Sequence, residues 1–250
     1  CMPEIIQFSN ELCYSAEPLL PLRQFGAGRL EPVVNSVFVQ RGYTRGRNQK
    51  VNQPEATAVA RKIAELLRDR RYDGKTFGVI SLLGARQAKL ITNELLSLVD
   101  SKELNARCLI CGDAYDFQGD ERDIVFLSMV AASGPDSRIG VLAKASDERR
   151  FNVAMSRAKD QVWLFHSVRL DELSQKDLRF QLLKYCQKPI AEHVAGSGIK
   201  VDELRRQARD ANRWLEQPPD VFGSWFEVDV FLRIAAKGWT VIPQYEASGY

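Results

Sequence analysis

The sequence is poor in several things, and each shortage excludes something. It holds only two histidines, His166 and His193, so a multi-histidine metal centre is excluded. Its cysteines, Cys1, Cys13, Cys108, Cys111 and Cys186, are odd in number and scattered, which argues against a disulfide scaffold and for a reducing, cytoplasmic setting. The longest uncharged apolar stretch, Ile124–Ala132, is far shorter than the ~20 residues a bilayer span requires. The opening Cys1-Met2-Pro3-Glu4 has neither the basic nor the apolar region of a secretory leader. A start on Cys1 rather than Met leads to the expectation of a piece cut from a longer chain. No Gly-x-x-x-x-Gly-Lys-Ser/Thr occurs, so these residues carry no phosphate-cradling loop.

What is present is the composition of a globular domain: 250 residues, 45% hydrophobic, 27% charged, with a net charge of +3. Helical and strand-like patterns alternate. Asn52-Gln53-Pro54-Glu55 opens the clearest helix, with Asn52 as cap and Glu55 at the capping-box position. Apolar runs at Phe77–Leu83, Ala106–Cys111, Ile124–Val130 and Gln161–Phe165 read as strands, separated by helices at Ala85–Val99 and Ser146–Arg157. Cys108 and Cys111 form a C-x-x-C inside one of these runs and read as buried strand cysteines rather than a zinc site. Continuous apolar strands between helices predict an α/β domain, a parallel sheet covered on both faces, over residues 1–186. Residues 187–217 read as a linker and a charged helix. Residues 218–250 read as a last helix, Ser224–Lys237, and a strand, Thr240–Gln244, too little chain to close a core alone.

Three segments could carry chemistry. Asp113–Asp123 packs five acids into eleven residues around Phe117-Gln118-Gly119, and glycine permits close backbone approach to a ligand. It reads either as a solvated loop or as a metal-dependent nuclease centre. In Glu148–Lys159 a helix would align Arg150, Ala154 and Arg157 on one face, and two guanidinium forks two turns apart suit phosphate oxygens. Arg41–Lys50, with Arg45 and Arg47 at its centre, has four basic residues and no acid, and reads as a nucleic-acid contact or a solvated loop.

These residues carry a family resemblance. Phe117–Ser128 resembles motif V of superfamily 1 helicases, Arg149–Lys159 resembles motif VI, and Gly78–Gln87 is similar to motif IV. The pairing resembles the subfamily that includes the nonsense-mediated-decay helicase, and it covers Met2 to about Ser167 in the right order. The resemblance implies the second RecA-like domain of an ATP-dependent helicase. Arg157 would be the arginine finger at the transferring phosphoryl group, and Arg150 would assist at the phosphates or between domains. Gln118, Gly119 and Glu121 would approach the nucleotide, with Glu121 on the ribose hydroxyl. Ser81 and Asp113 would lie near the nucleic-acid strand, although the family often has Thr where this chain has Asp113.

The resemblance also implies the remaining parts of the machine. ATP and Mg²⁺ would be held with the first RecA-like domain of the same parent, leaving this chain alone without ATP turnover. The partner would be single-stranded nucleic acid, with DNA favoured over RNA. The alternative on the same fold is a nucleic-acid-binding module without turnover. Phe222–Tyr245 is similar to the first helix and strand of a restriction-endonuclease-like domain of the very-short-patch-repair type, with Glu227 as its helix-borne acid and only Asp229 and Glu246 as further carboxylates.

Overall fold

A computed structural model describes residues 1–19, 21, 29–45, 50–134, 139–188, 201–219 and 222–235. By its packing the chain divides into two compact units, Cys1–Gln187 and Lys188–Tyr250. The first unit is built on five parallel strands: β1 (Val34–Phe38), β2 (Phe77–Ser81), β3 (Ile110–Asp113), β4 (Arg122–Ala132) and β5 (Ala158–Ser167). Their order across the sheet is β1-β5-β4-β2-β3. Helices α1 (Pro3–Cys13), α2 (Gln53–Leu66), α3 (Ala85–Leu98), α4 (Ser101–Ala106), α5 (Ala145–Ser156) and α6 (Leu178–Cys186) surround it. This is an α/β, RecA-like fold.

The central strands are apolar on both sides because both faces are covered. Alternation on β4 divides them: Val125, Leu127 and Met129 join Phe8, Phe151 and Leu182 in one core, beneath α1, α5 and α6. Ile124 and Phe126 join Val59, Ile63, Phe77 and Leu95 in the other, beneath α2 and α3. An aromatic ladder runs through that second core, with ring centroids 6.3 Å apart for Tyr72–Phe77, 5.8 Å for Phe77–Phe126 and 6.5 Å for Phe126–Phe165.

Several expectations are corrected. Residues Ala106–Cys111 are not one strand: Asp100 accepts the Lys102 N–H and caps α4 through Ala106, and a turn follows before β3 opens at Ile110. Cys108 lies in that turn, exposed and with φ of +48°. Cys111 alone sits on the strand, where burial pushes its thiol up to about 11. The sequence reading assigns no element before Asn52, yet α1 and edge strand β1 lie there. The tail strand Thr240–Gln244, Glu246, Arg47 and nearly all of the linker fall outside the described residues.

In the second unit, α7 (Val201–Asp210) and α8 (Trp225–Ala235) meet over a small core of Leu204, Ala208, Phe222, Val228 and Phe231. Asp229 is held by two bonds from the Arg213 guanidinium, at 2.7 and 2.9 Å. No described helix is long and apolar enough to cross a membrane.

Candidate functional site

The strands all start at one edge of the sheet and end at the other, and the two edges collect different chemistry. At the starting edge, the Arg122 N–H donates to the Arg157 carbonyl at 3.0 Å, which seats the end of α5 beside the loop that leads into β4. Arg157 is the C-cap of α5. Its Nη2 donates to Ser156 Oγ at 3.2 Å, and its buried Nε has no hydrogen-bond partner among the described residues. A buried guanidinium nitrogen without an acceptor costs free energy unless a ligand supplies one.

The neighbouring loop is anchored from below and open above. Arg122 Nε donates to the Cys108 carbonyl and Nη1 to the Glu121 carbonyl, each at 2.8 Å. Phe117 is fully buried and lies against Gly78, where a Cβ would come within 2.7 Å of its ring. Gln118, Gly119 and Glu121 stand exposed above this anchor. Gly119 has φ of +88° and open space where a Cβ would project, so the backbone can be approached closely.

Arg150 works elsewhere. Ala154 faces the core with no exposure, and Arg150 turns its guanidinium to the Leu82 carbonyl at 3.3 Å and Asp147 at 3.4 Å. Seven residues of helix separate it from Arg157, about 10 Å along the axis. The two arginines therefore do not form a two-pronged clamp on one helix face. Leu82 follows the end of β2, so Arg150 ties α5 to the opposite edge.

At the finishing edge, the residues expected near nucleic acid are mostly committed to the fold. Ser81 is fully buried, and its hydroxyl has no partner among the described residues. Asp113 accepts from the Tyr115 N–H at 2.8 Å and forms a turn, which explains an acid where the family often has Thr. Of the other acids in that stretch, Asp123 accepts from Thr76 N–H and Oγ1 at 2.9 and 2.8 Å. Among the described residues no group of three or more His, Cys, Asp or Glu could hold a metal, so Asp113–Asp123 is not assembled as a metal centre.

Arg45 remains exposed, and its neighbours were missed in the sequence. Tyr43, Arg45, Val51, Gln53, Arg86, Lys89, Leu90 and Asn93 line an open groove of 450 Å³ at the N-termini of α2 and α3. The Arg45 guanidinium lies over the Tyr43 ring at 4.8 Å, and Tyr43 is 40% exposed. Arg86 lies near the end of the motif-IV stretch and Lys89 just past it, which was the available signal: helical spacing puts them three apart on one face.

Beneath the groove lies a polar knot around Glu55, which has no exposed surface. Its Oε1 accepts from Ser128 Oγ and the Val130 N–H, both at 2.8 Å. Its Oε2 accepts from Ser167 Oγ and Asn52 Nδ2, both at 3.2 Å. Burial pushes the carboxyl up to about 7, against the hydrogen bonds that pull it down. The capping box is thus only half formed. Asn52 accepts the Glu55 N–H as expected, but the Asn52 N–H goes to Gln87 Oε1 at 2.8 Å, and Glu55 reaches across to β4 and β5.

In the second unit Glu227 accepts the Gly223 N–H at 3.0 Å, the bond of an ordinary first-turn acid.

The comparisons agree with the first unit. An uncharacterized ATP-dependent helicase of Mycoplasma genitalium is 28% identical across 90% of this chain and 21% of its own length. Its homolog in Mycoplasma pneumoniae is 28% identical across 98% of this chain and 23% of its own. The chain therefore spans between a fifth and a quarter of the curated relatives it matches. A family model described as an AAA domain matches residues 1–169, and on that match the chain belongs to the AAA domain family, in its helicase-like, superfamily 1 branch.

Proposed function

We propose that the first unit is the second motor lobe of an ATP-dependent helicase or translocase, acting on single-stranded nucleic acid. The observation that carries this reading is Arg157, at the starting edge, with a buried Nε lacking an acceptor beside an exposed loop of Gln118, Gly119 and Glu121. A planar, permanently charged fork there suits charge building up on a transferring phosphoryl group. Glu121 is an exposed acceptor for a ribose hydroxyl, and Gly119 leaves room for the nucleotide. The phosphate loop and its magnesium would come from another lobe of the same parent. The residues of this edge fit ATP as substrate: the Arg157 Nε is a donor without an acceptor among the described residues, and the buried carboxylates Asp123 and Asp160 are taken by Thr76 and Lys75.

The opposite edge would take the strand. Arg45, Arg86 and Lys89 can contact phosphates, and Tyr43 offers a face for a base. Ser81 and Asp113, one buried and the other spent on a turn, drop out of the contact surface. DNA as substrate rests on the tail's likeness to a nuclease. That likeness spans Phe222–Tyr245, of which residues 236–245 lie outside the described residues, and within residues 222–235 the nuclease reading rests on the helix-borne Glu227.

The test is ATP hydrolysis by the full-length protein carrying Arg157→Ala. Turnover falls about a thousandfold or more, while single-strand affinity is kept. Arg157→Lys fails equally, because a point charge does not reproduce the fork. Wild-type turnover by the Ala variant overturns the assignment.

A further inference from the structure

The groove at the finishing edge rests on groups that do not line it. Past Ser128 the ladder between β4 and β5 loses register, and Val130 takes φ of +66°, a conformation that β-branched residues rarely adopt. Glu55 holds this kink by accepting the Val130 N–H. The Val130 carbonyl in turn accepts from Thr44 Oγ1 and Asn52 Nδ2, both at 3.2 Å. Thr44 lies between Tyr43 and Arg45. Gln87, between Arg86 and Lys89 on α3, donates to the Asn52 carbonyl at 3.0 Å and to Ser128 Oγ at 3.1 Å. Thr44 and Gln87, which stand beside the groove's cations in the chain, are thus each two hydrogen bonds from the Glu55 carboxyl.

All four partners of Glu55 act as donors, and two of them, the Val130 N–H and the Asn52 amide, have no other role open to them. A carboxylate, which only accepts, matches that set. A carboxylic acid must donate one proton, so a hydroxyl of Ser128 or Ser167 has to turn round and surrender its own bond. No charged side chain among the described residues bonds to Glu55. On β5, His166 faces Ser36 and the Val168 carbonyl instead. Of the charged groups on α3, Arg86 and Lys89 line the groove and Glu94 accepts from Gln53 and Thr57. On α2, Lys62 pairs with Glu65, and on β4, Arg122 and Asp123 are at the far edge.

We propose that Glu55 is the positioning residue of the strand-binding groove, its carboxylate locking the Val130 kink and thereby the Thr44 and Gln87 ties, so that taking up a proton loosens the groove and weakens single-strand binding. This rests on the groove reading given above. The titration falls where it can operate, since burial raises the carboxyl to about 7. His166, held below its ordinary value by burial, would act in the opposite direction if it mattered, because a gained positive charge favours a polyanion.

The experiment measures the affinity of the protein for a fluorescent oligo-dT at constant ionic strength. It compares the wild type with Glu55→Gln and Ser128→Ala from about pH 5.5 to about pH 8, and follows protection of the Val130 amide after correction for intrinsic exchange. Wild-type affinity should rise about five- to tenfold with pH, in parallel with the local, denaturant-independent part of Val130 protection. Glu55→Gln should be flat and weak at every pH. Ser128→Ala, which removes one donor and keeps the packing, should shift the midpoint upward. A flat wild-type profile, or a Gln variant that keeps the wild-type slope, overturns the proposal. If the wild type fails to bind at all, the groove reading falls, and Val130 protection still decides whether Glu55 holds the kink. Binding weakened about tenfold at every pH in Arg86→Ala with Lys89→Ala, beside the expected pH profile in the wild type, supports both.

Discussion

The two edges of one sheet handle their polar groups in opposite ways. At the starting edge Arg157 keeps a buried nitrogen without an acceptor, and the loop beside it is anchored by Arg122 but left open to solvent. At the finishing edge, the buried Asn52, Glu55, Gln87 and Ser128 and the half-buried Ser167 are bonded to one another, with the cations displaced outward to the groove. The first arrangement stores an unmet demand that a ligand can satisfy. In the second these groups satisfy one another and hold backbone in place, and only the Ser81 hydroxyl at that edge is without a partner among the described residues. A residue of the first kind should matter to chemistry and little to stability, and a residue of the second kind should do the reverse.

The largest effect that would sharpen this contrast is a pH dependence of stability. The carboxyl of Glu55 is raised from 4.5 to about 7, so between those values the folded protein keeps a proton that the unfolded chain has released. Stability therefore falls as pH rises through that window and levels off above it, by an amount on the order of 3 kcal/mol. Urea unfolding at several pH values should show the decline in the wild type and not in Glu55→Gln. The charged form grips its donors better locally, even though burying its charge costs the whole fold. Next in size, Asn52→Ala removes the cap of α2 and one of the two donors to the Val130 carbonyl, a loss of about 2–3 kcal/mol. Arg157→Ala in the same assay should stay within about 0.5 kcal/mol. If both cost the same, the contrast between the edges fails. Between those two in size falls Gly42→Ala. A Cβ there would stand 2.3 Å from the Ser167 Cβ, forcing Ser167 off Glu55 at a cost of about 1–2 kcal/mol, readable as a lowered unfolding midpoint.

The sheet was legible in the sequence where apolar runs were long and flanked by helices of clear period, as in β2, β4 and β5. It was not legible in β1, whose Asn35 and Ser36 interrupt the apolar run because an edge strand needs less of it. Nor was it legible in α4, six residues that no period can mark. Motifs V and VI pointed to Arg157 and to the Gly119–Glu121 loop, because single chemical roles leave local patterns. Glu55 left none: at the third position of α2 it reads as a capping acid, and its partners other than Asn52 lie 73 to 112 residues away. Spacing also misled at Arg150, since one helix face says nothing of which end of the helix meets which edge of the sheet.

The most direct test separates the edges in one protein by measuring, on the full-length chain, both kcat for ATP at saturating oligo-dT and Kd for oligo-dT across a salt series. Arg157→Ala should lower kcat about a thousandfold and leave Kd within about twofold. Arg86→Ala with Lys89→Ala should raise Kd about tenfold and reduce the salt slope by about two, with kcat at saturation little changed. Two variants that each lower turnover and affinity together would contradict the division of labour between the edges.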